Sequence, residues 1–319
     1  MNAKPPPGTA ALDSRIPRDS CIRWAARAGY LLATVVAASI PAPAATAADP
    51  DATARGAYLA AAAGCDQCHT DARGGGPPYS GGREMATAFG IITTPNLTPD
   101  RTTGIGRWSA ADFTRALRWG VAPDDSHYIP AFPFPFYNRL TTRDLGDLKA
   151  FLDSLPAVSR PALKGAGSTA LLARARAAIG VALTPLAGPW QPDPDKDPVW
   201  NRGAYLVHSL GRCGDCHTPR MLFGAPDPDR FLAGAPAGSP AWKPEKVPNI
   251  TPDRKTGIGN WTGDDIIGVL TDGKTPDFDD VRGSMAEIVK NTARLSEEDR
   301  RAIAVFLASV PAVSSPEQK

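Results

Sequence analysis

Net charge, cysteine, methionine and long apolar runs are all scarce in this chain, and each shortage excludes something. The 35 basic residues nearly cancel the 33 acidic ones, leaving a formal charge of +2, so charge gives no support to a nucleic-acid binder. Five cysteines in 319 residues are too few for a disulfide-built scaffold. The one notable apolar stretch, Ala28 to Ile40, is short for a membrane span, and the rest of the chain offers no run that excludes water for longer. A polytopic membrane protein is thereby excluded. Runs that alternate apolar and polar residues, as strands do, do not stand out. Proline (33) and glycine (30) are abundant, which speaks against a coiled coil or a large sheet and for loop-rich domains. The length predicts about two domains.

The N-terminal segment has the order of a secretory signal peptide. Lys4, Arg15, Arg18, Arg23 and Arg27 precede the apolar core, and Ala45-Thr46-Ala47 follows it. The expected signal spans 1–47, with Sec export to the periplasm. Cleavage after Ala47 would discard Cys21 along with five basic and two acidic residues, so the mature chain would be close to neutral. Its four cysteines would then lie in a compartment that permits disulfides. Their spacing points to a different use.

The chain repeats itself with a period of about 150 residues, too long for a solenoid and suited to a domain duplication. Arg55-Gly-Ala-Tyr-Leu59 returns as Arg202-Gly-Ala-Tyr-Leu206. Cys65-Asp-Gln-Cys-His-Thr70 returns as Cys213-Gly-Asp-Cys-His-Thr218, and Pro95-Asn-Leu-Thr-Pro-Asp100 as Pro248-Asn-Ile-Thr-Pro-Asp253. Each copy reads as helices joined by loops rich in glycine and proline. Ser109 with Asp112, and Thr262 with Asp265, form capping boxes before helices over 110–119 and 263–271. Thr141 with Asp144, and Ser296 with Asp299, start the closing helix of each copy, whose apolar residues recur at helical spacing. The expected organisation is a first domain over 48–158, a linker over 159–198, a second domain over 199–313 and a tail over 314–319. Within the linker, Leu171 to Leu183 carries Arg174 and Arg176. It fits a short basic helix packed across the two domains, and also admits peripheral association with the cytoplasmic membrane.

Cys-x-x-Cys-His is the pattern of c-type haem attachment. The two thiols can add to the vinyl groups of the porphyrin, and the adjacent histidine can ligate iron. Zinc would ask for four protein ligands where each copy clusters three, and a disulfide would leave both histidines without a role. Two covalently bound haems c are therefore expected, attached through Cys65 and Cys68 and through Cys213 and Cys216. His69 and His217 would be the proximal ligands. Met285, in what reads as a loop before the last helix, is the expected sixth ligand of the second haem. From Pro95/Pro248 to Gly120/Gly273 the copies keep an offset of 153 residues, which puts Phe132 opposite Met285. Phenylalanine cannot bind iron, so the first haem takes His127, takes Met85, or stays open. His208 reads as an exposed or inter-domain side chain and not as a ligand.

At these residues the chain resembles the c-type cytochrome subunits that accept electrons from periplasmic alcohol, gluconate and aldehyde dehydrogenases. The match covers about residues 53–313, and the Pro-Asn-x-Thr-Pro-Asp segment carries it beyond cytochromes c in general. The resemblance implies a mainly α fold: two tandem class-I-like cytochrome c domains with long Gly/Pro-rich loops. It implies electron transfer from a periplasmic dehydrogenase to another cytochrome or an oxidase, without a substrate of its own. Better-known members have three haem domains where this chain has two, and their Ala-Met-Pro is Ala131-Phe132-Pro133 here. An open first haem would instead suit a dihaem redox enzyme acting on peroxide or sulfur compounds.

Overall fold

The computed structural model describes residues 49–87, 90–128, 131–161, 186–221, 225–237 and 246–315, all within one compact unit, Ala47–Lys319. The expected signal segment 1–47 and the basic stretch 171–183 fall outside the described residues.

The first half holds α1 (Pro50–Ala63), α2 (Cys65–His69), β1 (Glu84–Thr87), β2 (Gly90–Thr93), α3 (Ala110–Trp119), α4 (Phe134–Tyr137) and α5 (Thr142–Ser154). The second half holds α6 (Pro198–His208), α7 (Cys213–His217), α8 (Gly263–Asp272), α9 (Gly283–Thr292) and α10 (Glu297–Ser309). The fold is mainly α. The capping boxes form as read: Ser109 Oγ accepts from Asp112 N at 3.1 Å, and Thr262 Oγ1 from Asp265 N at 3.2 Å. Gly120 and Gly273, at φ 63° and 77°, close those helices in the left-handed conformation.

Two expectations need correction. The strands β1 and β2 pair antiparallel, with Met85 opposite Ile92, where no strand stood out. Alternation is weak there, and Ile91 is 68% exposed, so no apolar face announces the pair. Met285 lies in the first turn of α9 and not in a loop. The Arg282 side chain makes no capping hydrogen bond, so that helix has no start signal in the sequence.

The paired copies of Arg-Gly-Ala-Tyr-Leu are explained by a close helix crossing. α1 packs on α5 and α6 on α10. A Cβ added at Gly56 would stand 1.9 Å from the Asp147 carbonyl oxygen, and one at Gly203 would stand 1.9 Å from that of Ala302. The arginines beside these glycines reach the same helices: Arg55 Nε donates to Asp147 at 2.7 Å and Arg202 Nε to Asp299 at 2.7 Å. Gly203→Ala is expected to destabilise the protein by about 3 kcal/mol, because two helix backbones must separate around one methyl group. Thermal unfolding of the haem-loaded protein measures this, and an unchanged midpoint would mean that the crossing is looser than it stands here.

The tyrosines of the same motif bind across the two halves. Tyr58 donates to Asp299 at 2.6 Å and accepts from Ser296 N at 3.0 Å. Tyr205 donates to Asp144 and accepts from Thr141 N at 3.4 Å. Each tyrosine thus sits on the capping residues that begin the other half's closing helix. Burial would raise the Asp299 pKa, but hydrogen bonds from Arg202 and Tyr58 outweigh it and hold the carboxylate below its ordinary range.

Candidate functional site

α2 and α7 are each little more than one turn of helix, which puts Cys65, Cys68 and His69, and Cys213, Cys216 and His217, on one face. All four thiols are free. Burial pushes the Cys65 thiol up to about 12, Cys213 to about 11 and Cys216 to about 12. At neutral pH these are protonated thiols, unlike the thiolates of a reactive or zinc-binding cysteine. Among the described residues no group of three or more His, Cys, Asp or Glu side chains could hold a metal ion.

The histidines are held by a feature the motif alone does not reveal. His69 Nδ1 lies 2.8 Å from the Pro95 carbonyl, and His217 Nδ1 lies 2.8 Å from that of Pro248. A carbonyl only accepts, so each Nδ1 carries the proton and donates, which leaves Nε2 as a free lone pair. Burial lowers both imidazole pKa values against the opposing effect of that bond, so the rings are neutral, as iron ligation requires. Two thiols and one oriented neutral imidazole, on one helical turn, fit a porphyrin that is bonded at its edge and ligated from one face.

The Pro-Asn-x-Thr-Pro-Asp segment fixes those carbonyls in place. Asn96 Oδ1 accepts from Thr98 N and Oγ1, at 2.9 and 2.8 Å, while its Nδ2 donates to Thr103 Oγ1 at 3.1 Å and to the Val158 carbonyl at 2.7 Å. Asn249 repeats this set with Thr251, Thr256 and Val313. Asn96 and Asn249 are both buried with their polar atoms satisfied, so the loop under each histidine is tied to the chain leaving the closing helix. Thr70 and Thr218, next after the histidines, accept from Tyr79 N and Leu232 N, both at 3.1 Å, and turn the chain back. Gly81 (φ 71°) passes so close to Pro95 that a Cβ would stand 2.5 Å from its carbonyl carbon.

On the other side, the offset of 153 holds in the backbone. Tyr128 N donates to the Gly120 carbonyl at 2.7 Å, and Val281 N to that of Gly273 at 2.9 Å. Phe132 and Met285 are therefore structural equivalents, one just ahead of α4 and the other at the start of α9. Phe132 packs its ring between Tyr128 (5.5 Å) and Tyr137 (5.6 Å). Met85 lies on the hairpin, half-buried. His127 bridges to Val121, and among the described residues its buried Nδ1 has no hydrogen-bond partner. At the equivalent position Asp280 pairs with Lys274 at 2.5 Å. His208 stacks between Phe231 (4.6 Å, 7°) and Trp190 (5.7 Å, 26°), and burial, followed by the Arg139 charge, pushes it down to about 4. It is a neutral packing residue at the linker.

The attachment helices also touch across the halves. Gln67 Nε2 donates to the Glu287 carbonyl at 2.8 Å, Asn291 Nδ2 donates to Gln67 Oε1 at 3.1 Å, and Arg294 meets Asp66 at 2.8 Å. Residues of α2 are thus bonded to α9, the helix that bears Met285.

No protein-family model matches the chain. Curated relatives do. A "Diheme cytochrome c-type" of Cereibacter sphaeroides is 41% identical over 266 residues, which cover 81% of this chain and 86% of that one. The fructose dehydrogenase cytochrome subunit of Gluconobacter japonicus is 38% identical over 261 residues, covering 81% and 52% respectively. The gluconate 2-dehydrogenase cytochrome c subunit of Pantoea cypripedii is 37% identical over 271 residues, covering 81% and 59%. The chain spans little more than half the length of these two dehydrogenase subunits.

Proposed function

Because the chain belongs to the family of dihaem c-type cytochromes and dehydrogenase cytochrome c subunits, with two covalently bound haems c, we propose that it is a periplasmic electron carrier between a dehydrogenase and the respiratory chain. The relatives are electron-transfer subunits and not catalytic enzymes. The observation that carries the reading is the pair of identical sites, each with two thiols and a histidine whose Nδ1 is held 2.8 Å from a proline carbonyl.

Each bound haem supplies a one-electron couple. The protein's part is to hold ligands and exclude water. Cys65 and Cys68, and Cys213 and Cys216, would hold the porphyrin edges, and His69 and His217 would offer Nε2 to iron. Met285 would be the sixth ligand of the second haem, and a histidine–methionine pair would favour a high potential there. At the first site, His127 takes the role that Phe132 cannot. What supports this is that its Nδ1 is buried with no hydrogen-bond partner among the described residues, a group a ligand could satisfy. The halves, related by the 153-residue offset, are read as a domain duplication. The segment 1–47 directs export, and the basic linker allows peripheral contact with the membrane. Another cytochrome or an oxidase takes the electrons onward.

The test is a periplasmic preparation with its mass, haem count and reductive titration. The expected result is a chain cleaved after Ala47 that holds two haems, takes up two electrons and does not turn over hydrogen peroxide. Fewer than two haems, or rapid peroxide turnover, would overturn the reading.

A further inference from the structure

The geometry points to Arg212 as a single cation shared by both haem sites, held between the halves so as to favour the reduced state of each. This rests on the assignment of the two attachment motifs and goes beyond it.

Arg212 is the residue before Cys213 and forms the N-cap of α7, at φ 50°. The same place ahead of α2 is taken by Gly64 at φ 66°. The left-handed conformation suits glycine and disfavours a residue with a Cβ, so the second half carries an arginine where the backbone would prefer none. The side chain crosses to the first half: Nη2 lies 3.5 Å from the Ala63 carbonyl, and the guanidinium carbon lies 5.7 Å from the centre of the Tyr137 ring. Among the described residues its buried Nε has no hydrogen-bond partner. Among the described residues it forms no ion pair. The nearby carboxylate Asp215 is engaged by Arg220 at 2.6 Å.

Burial of this guanidinium disfavours its charge, but Tyr137 and the Asp215 carboxylate more than offset that, so Arg212 stays a cation. Its surroundings show what it faces. Arg212 directly precedes Cys213, and its guanidinium reaches the Ala63 carbonyl, two residues ahead of Cys65. Each haem site becomes more negative by one charge when it accepts an electron. A fixed cation in a low-dielectric interior lowers the free energy of that state at both sites at once. Arg212 is thus a tuning residue. It touches neither iron, and it acts through its charge.

The experiment is a spectroelectrochemical titration of the full-length, haem-loaded protein and its variants. Arg212→Gly restores the residue that the first half uses in the same conformation, so the backbone is relieved while the charge is lost. Both midpoint potentials are expected to fall, each by about a tenfold change in the equilibrium constant for reduction. Arg212→Lys keeps the charge and is expected to hold both midpoints near those of the unmodified protein. This separates charge from packing or water entry. The proposal is overturned if Arg212→Gly moves one midpoint only, if it moves neither, or if Arg212→Lys falls as far. Should the glycine variant fail to accumulate, Arg212→Gln carries the same comparison. A wild-type protein with fewer than two haems would instead overturn the assignment of the motifs.

Discussion

Cys213→Ala combined with Cys216→Ala is expected to cut covalently bound haem from two per chain to one. The reason is local. Both thiols lie on one turn of α7, and the other two cysteines among the described residues, Cys65 and Cys68, lie in the other half. The loss should reach further than the second site. Cys213 packs against the core with Phe231, whose ring lies where a Cβ on Gly214 would fall. Without the porphyrin the second half loses the group it is built around, and α9 loses support. The α9 residues Glu287 and Asn291 hold Gln67 in the first attachment helix, so the remaining haem should show a perturbed spectrum as well. A haemochrome assay with intact-protein mass spectrometry gives the count. Two haems retained in the double variant would mean that attachment lies elsewhere.

Met285→Ala is expected to open one iron per chain to carbon monoxide and to lower the potential of that haem, because the thioether that stabilises the reduced state is gone. His127→Ala should open the other. Met85→Ala should open neither, since His127 is the ligand proposed for the first iron. Absorption spectra of the reduced protein under carbon monoxide, read with haem count held at two, distinguish the three. If Met85→Ala opens a site, the sixth ligand of the first haem has been misassigned. If Met285→Ala opens none, the start of α9 does not reach the second iron.

Much of this protein can be read from its chain because much of it is local. Ser109 with Asp112 and Thr262 with Asp265 begin helices wherever they occur, since the cap closes within four residues. The attachment motifs need one helical turn and nothing else. What the chain hides is non-local or unmarked. α9 starts at Arg282 without a side-chain cap, so Met285 reads as loop. The hairpin has an exposed Ile91 and no clean alternation. The proline carbonyls that orient His69 and His217 belong to a repeated segment whose purpose shows only when it lies beneath the rings. Arg212 gave one small sign, an arginine aligned with a glycine, which acquires meaning only once the backbone is known to be left-handed at both.

The crossed tyrosines have a consequence for how such a chain can change. Asp144 finds the hydroxyl of Tyr205, and Asp299 finds that of Tyr58, so each half keeps one partner of a pair whose other member it does not own. A substitution at either aspartate is therefore felt by the opposite copy, and the tyrosines cannot drift while the aspartates stay. The two halves are thereby obligate complements. Transplanting one half alone into another protein would carry across a phenol and a carboxylate, each cut off from the group that completes it.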